Sequence, residues 1–236
     1  MGDNVLVSES DGVTTITFAS PSNRIAAGLL IELRDALNKA QGSVIVLAAK
    51  ENFSLGYDTD ELFHADKQGF YDISTLGQEV CSLLENSNKV SLAVLTGYSL
   101  GPGLELALAC DFRIAADTAI FGFPEVRIGL STAFGTTKRL PGLLGSSKGK
   151  KLLVSGSLLH AEEAQWLGLV DEVVQNPMER AAKMASSLIR APPAVRDIKR
   201  LVAGASVTEE RNAFAACCTD DTKARIRNAM KQPAKA

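Results

Sequence analysis

The chain opens with two short β-rich runs, carried by Val5 and Val7 and then by Val13, Thr15, Ile16 and Phe18, on either side of Ser10-Asp11-Gly12. An Asp-Gly step between such runs predicts a hairpin, because the central residues of its tight turn need positive φ. Leu29, Leu30, Leu33, Leu37 and Ala40 then recur at helical spacing, and Ser43 to Ala48 (SVIVLA) is continuously apolar in the manner of a strand covered on both faces. The polar stretch from Lys50 to Asp60 reads as a loop. A helix is expected around Ile73 to Glu85, and Val90 to Thr96 (VSLAVLT) repeats the buried-strand pattern. Strand, helix, strand in this order predicts a parallel β/α body.

Gly97 to Gly103 holds three glycines and one proline and reads as a turn, followed by a short apolar helix from Leu104 to Cys110. Arg113 to Ala116 and Ala119 to Gly122 are expected as strands, and Ser146 to Ser155 and Ala161 to Leu167 as short helices. From Met178 onward the pattern is helical, with breaks at Pro192-Pro193 and near Gly204. The shift in composition divides the chain into an α/β core over residues 1–175 and a helical C-terminal region over 176–236.

Composition narrows the function classes. The 236 residues are 46% hydrophobic and 22% charged, a globular balance that excludes a disordered or collagen-like chain. With 25 basic and 27 acidic residues the net charge is −2, which offers no general attraction for nucleic acid or an anionic membrane. No apolar run reaches the length of a membrane span, and Met1-Gly2-Asp3-Asn4 has no signal-peptide pattern. Cys81, Cys110, Cys217 and Cys218 lack metal or redox spacing and read as free thiols, so a cytoplasmic setting is expected.

Several motifs compete for the chemistry. Gly97-Tyr98-Ser99-Leu100-Gly101 fits the G-x-S-x-G nucleophile pattern between a strand and a helix, but the sole downstream histidine is His160, so Ser99 is read as a small residue in a tight turn. Gly145-Ser146-Ser147-Lys148-Gly149-Lys150-Lys151 lacks the first glycine and the terminal hydroxyl of a phosphate loop, which leaves Lys148, Lys150 and Lys151 as a solvated face or a phosphate contact. His64 and His160 have no metal-ligand partners at useful spacing, and no metal site is expected. Glu105 is different, because Leu108 and Ala109 flank it at helical spacing and a carboxylate on an apolar face must be paired or used. Glu125, after Phe121-Gly122-Phe123-Pro124, also follows an apolar stretch. Either the two carboxyls share a water for acid–base work, or Glu105 pairs with Arg113 or Arg127.

The stretch GYSLGPGLELALACDFRIAADTAIFGFPEVRIGL (97–130), followed by GTTKRLPGLLG (135–145) and AEEAQWLGLVDEVV (161–174), resembles the crotonase superfamily of enoyl-CoA hydratases and isomerases. Upstream, ENFSLGYDTDEL (51–62) is similar to the family's F-x-A-G-A-D loop. The resemblance implies a spiral of ββα units with a helical C-terminal part that builds a homotrimer or a dimer of trimers. It implies an acyl-CoA thioester substrate, with coenzyme A as part of that substrate and no separate cofactor, in fatty acid metabolism. It places Tyr57 where the family supplies one backbone N–H to an oxyanion hole, Glu105 and Glu125 at the two hydratase carboxylates, and Ala133 where a backbone group helps hold the water. Pro102 departs from the pattern, since it stands where a second N–H completes the hole and proline has none, unless the Gly103 N–H replaces it. Hydration is therefore the expected reaction, with double-bond isomerisation or an acyl-CoA-binding scaffold as the alternatives.

Overall fold

A computed structural model describes residues 4–20, 22–190, 194–202 and 204–230. Two compact units divide at Arg190, and the helix at 177–189 packs on the sheet of the first unit. The expected break at Pro192-Pro193 lies outside the described residues.

The first unit begins with the hairpin of β1 (Val5–Ser10) and β2 (Val13–Phe18), paired antiparallel across Asp11 and Gly12, both at positive φ. Helix α1 (Ala27–Lys39) buries Leu29, Leu30, Leu33, Ala36 and Leu37 and leads to β3 (Val44–Ala49), parallel to β2. Helices α2 (Thr59–His64) and α3 (Lys67–Asn86) follow, then β4 (Val90–Leu95) parallel to β3. The chain next leaves the large sheet for β5 (Tyr98–Leu100), turns into α4 (Pro102–Leu108) and returns as β6 (Phe112–Ala116) beside β4.

Strand β7 (Ile120–Gly122), a 3₁₀ turn (Pro124–Ile128), α5 (Thr136–Leu144), α6 (Ser146–Ser155), β8 (Leu158–His160), α7 (Ala161–Leu167), β9 (Glu172–Val174) and α8 (Pro177–Ile189) complete the unit. The six-stranded sheet runs β1-β2-β3-β4-β6-β9 and the three-stranded one β5-β7-β8. Sequence reading missed α2, β5, α5, β8 and β9, and it placed Ser99 in a turn where the structure has a strand.

The unbroken apolar runs of β3 and β4 are explained by cover on both faces. Ile45, Leu47 and Ala49 join the main core with α1 and α3, while the alternate residues Val44, Val46 and Ala48 pack with Ala181 and Ala185 of α8. The loops leaving the carboxyl ends of β3 and β4 therefore meet on one edge of the body, where α/β sheets place their sites.

The second unit holds α9 (Ala194–Val202), α10 (Val207–Ala216) and α11 (Asp220–Met230). Ser206 and Glu209 form a reciprocal capping box at the start of α10. Val202, Val207, Phe214 and Met230 are exposed.

Candidate active site

The loop after β3 is held by its own amides. Phe53 N–H donates to Thr96 O (2.9 Å), Ser54 to Tyr98 O (2.9 Å), Leu55 to Ser22 O (2.9 Å) and Asp58 to Ile25 O (3.0 Å). Gly56, at φ +99°, donates to Ser54 Oγ (3.1 Å). Tyr57 alone in this run has an N–H with no acceptor among the described residues, although its side chain is buried. An amide left open in so fully bonded a loop can donate to a further group.

The loop after β4 arrives alongside. Gly101 adopts φ +47° and ψ −121°, a conformation open to glycine, and its N–H donates to Gly122 O (2.9 Å). Pro102 begins α4 with no N–H to give, and the next intrahelical bond is Glu105 N–H to Gly101 O (2.9 Å). The amides of Gly103 and Leu104 are left without acceptors among the described residues, as the first turn of a helix leaves them. Gly103 is packed so closely that a Cβ there would lie 2.2 Å from Ser54 Cβ, which brings the open amides of α4 beside the loop carrying Tyr57.

Both predicted carboxyls are buried here, Glu105 fully and Glu125 at 6% exposure. Their surroundings differ. Glu105 Oε1 accepts from Ala133 N–H (3.1 Å) and Oε2 from Phe134 N–H (2.8 Å). Burial pushes its pKa up, and these amides oppose the shift by favouring the anion. Glu125, fixed by Pro124 in the 3₁₀ turn, has neither oxygen hydrogen-bonded among the described residues. Burial, helped by the nearby charge of Glu105, raises it to about 7. Its carboxyl lies against Gly101, where a Cβ would come within 2.9 Å of Oε2. Burial and then the two carboxylates also raise the Tyr57 phenol, whose ring stands edge-on to Phe134 at 6.1 Å.

Tyr57, Gly103, Glu105, Glu125 and Ala133 thus converge, and the alternative pairing of Glu105 with arginine is not formed. Arg113 instead binds Asp171 (3.1 Å) and the carbonyls of Leu169 and Cys110. Ala133 is placed at Glu105 itself: its N–H holds the carboxylate, and its carbonyl accepts from Ser74 Oγ and Gln78 Nε2, each at 2.9 Å. Ser99 is fully buried while His160 is exposed, so no hydrolase pair forms. His64 bonds the Asp60 carbonyl, and Lys148 stacks over Trp166 at 5.3 Å.

Sequence reasoning missed the support behind Glu105. Arg139 on α5 grips Glu85 on α3 through two bonds of 2.5 and 2.6 Å and donates to the carbonyl of Phe134. With Ser74 and Gln78, α3 thereby fixes both residues whose amides hold Glu105. The only signal was an arginine early in the quoted 135–145 segment, with its acid partner 54 positions away.

Two carboxyls so unlike in hydrogen bonding, set beside open amides at the ends of parallel strands, form a site whose groups can give and take protons. The enoyl-CoA hydratase/isomerase family model matches residues 8–223. The chain is 33% identical over 181 residues to the crotonyl-CoA hydratase of Syntrophomonas wolfei, covering 73% of this chain and 70% of that protein. It is 37% identical over 175 residues to the peroxisomal fatty acid beta-oxidation multifunctional protein AIM1 of Arabidopsis thaliana, which takes in 70% of this chain and 24% of that larger protein. An enoyl-CoA hydratase from Thermoplasma volcanium superposes with a TM-score of 0.90 at 30% identity, over 98% of each chain. The chain belongs to the enoyl-CoA hydratase/isomerase family of enzymes and has the crotonase fold.

Proposed function

We propose that this enzyme adds water across the α,β double bond of an enoyl-CoA thioester, and removes it in reverse. The observation that carries the reading is the inequality of the two carboxyls. Glu105, whose oxygens both accept amide hydrogens, is suited to the anion, and Glu125, with no donor on either oxygen, is suited to holding a proton near neutral pH.

The roles follow. Glu105 takes a proton from water as the water oxygen bonds to the β carbon, and the double-bond electrons move onto the thioester oxygen as an enolate. The open Tyr57 N–H is one donor to that oxygen, and the Gly103 N–H stands in for the amide Pro102 lacks. Glu125 then gives its proton to the α carbon as the enolate collapses. A proton passes from Glu105 back to Glu125 to restore the pair. Coenzyme A enters as part of the substrate, and these steps call for no further cofactor.

Glu105→Gln and Glu125→Gln test the reading. Each keeps shape but removes proton transfer, and each is expected to lower hydration of crotonyl-CoA by about 10² to 10⁴ with folding preserved. Near-normal rates in either variant overturn it, and an enzyme that shifts the double bond without hydrating it would be an isomerase. A homotrimer or a pair of trimers in the cytoplasm completes the proposal, supported by the exposed apolar side chains of α9 to α11 and by the free thiols of Cys81, Cys217 and Cys218.

A further inference from the structure

The cavity that reaches Glu125 holds a second charged group that hydration does not use. It encloses about 480 Å³ and is bounded largely by apolar side chains such as Phe123, Leu130 and Leu153. Lys150 is the one basic residue in its wall. It lies on α6 one turn after Ser146 and one turn before Val154, so all three share a helix face directed to the cavity. No carboxylate among the described residues forms an ion pair with Lys150.

The reacting carbons must lie at Glu125, so the acyl tail is what extends through the rest of this cavity. Lys150 is exposed and lines this cavity, so a tail filling that space takes water from it. A methyl-ended tail leaves the ammonium desolvated and unpaired, whereas an anionic end replaces the lost solvent with a charge-assisted hydrogen bond. The Ser146 hydroxyl, also in the wall, offers a further donor to such an end.

We infer that Lys150 reads a carboxylate at the far end of the acyl group, so that the substrate class is the coenzyme A monothioester of an unsaturated dicarboxylic acid. This rests on the hydratase reading above and narrows it. A lysine presents a point charge on a flexible stem, not a rigid fork, so it tolerates a tail one carbon longer or shorter.

The test compares two thioesters of equal length, trans-2-hexenedioyl-CoA and trans-2-hexenoyl-CoA, in wild type and Lys150→Met. The wild type is expected to favour the diacid in kcat/KM, and Lys150→Met to lower the diacid value by about 10- to 100-fold while raising that of hexenoyl-CoA. Binding of the saturated pair adipoyl-CoA and hexanoyl-CoA, measured by calorimetry, should show the same inversion independently of turnover. A wild type that hydrates hexenoyl-CoA as well as or better than the diacid overturns the inference and leaves the hydratase reading intact. Equal losses on both substrates in Lys150→Met also overturn it, by assigning the ammonium to a phosphate of coenzyme A. If neither thioester is hydrated the hydratase reading fails, and equal calorimetric affinities would sink the carboxylate contact as well.

Discussion

Glu125 is a carboxyl that folding deprives of water without giving it a donor, and pH exposes what that costs. The folded group holds its proton up to about 7, against an ordinary value of 4.5, so folding takes up a proton between those limits. Its contribution to stability is whole below pH 4.5 and is lost as pH rises through 7. Hydration needs the protonated form, so kcat/KM is expected to fall above about pH 7. Glu125→Gln should gain in Tm over wild type by about 5–10 °C more at pH 8 than at pH 5. A flat pH–rate profile through neutrality would remove Glu125 from the role of acid. Glu105 and Glu125 were both visible in the sequence, because a carboxyl among apolar neighbours is an anomaly at any level of description. The amides of Ala133 and Phe134 were not, because a backbone N–H carries no letter of its own.

At the level of elements, the site is assembled by close approaches. Helix α3 lies so near the Phe134 ring that a Cβ on Gly77 would come within 2.2 Å of it. Gly77→Ala is expected to destabilise the fold by about 1–3 kcal/mol, as overpacking does, and to lower kcat more than it raises KM by moving the Phe134 amide off Glu105. Unchanged kcat in a folded Gly77→Ala enzyme would show that the amide's position is not critical. Helix α4 makes the opposite compromise. Pro102 organises its first turn and withholds an amide, and with the Gly103 N–H as the second donor Pro102→Gly should leave turnover unchanged or lower and reduce Tm. A rise in turnover toward about 10² would show instead that the wild-type hole lacks its second donor. The long periodic helices and the buried strands β3 and β4 were legible in sequence. Helix α5 was hidden by Pro141 in its interior, and β5 and β8 by their length of three residues each.

The whole molecule joins a closed first unit to a second whose helices α10 and α11 bury no side chain. Helices with Val207, Phe214 and Met230 in solvent call for cover, and light scattering at micromolar concentration is expected to find a trimer or hexamer. A monomer alone would refute this. The parallel architecture followed from the apolar pattern, whereas the departure of β5 into a second sheet depends on contacts between Ser54 and Ser99 that no periodicity encodes.

The two amides that grip Glu105 have a consequence for isotope exchange. An amide hydrogen bound to a buried carboxylate trades with deuterium only when that bond opens, and these two bonds weaken when the carboxylate takes up a proton. The hydrogens of Ala133 and Phe134 are therefore a built-in record of the charge on Glu105, legible without substrate or mutation.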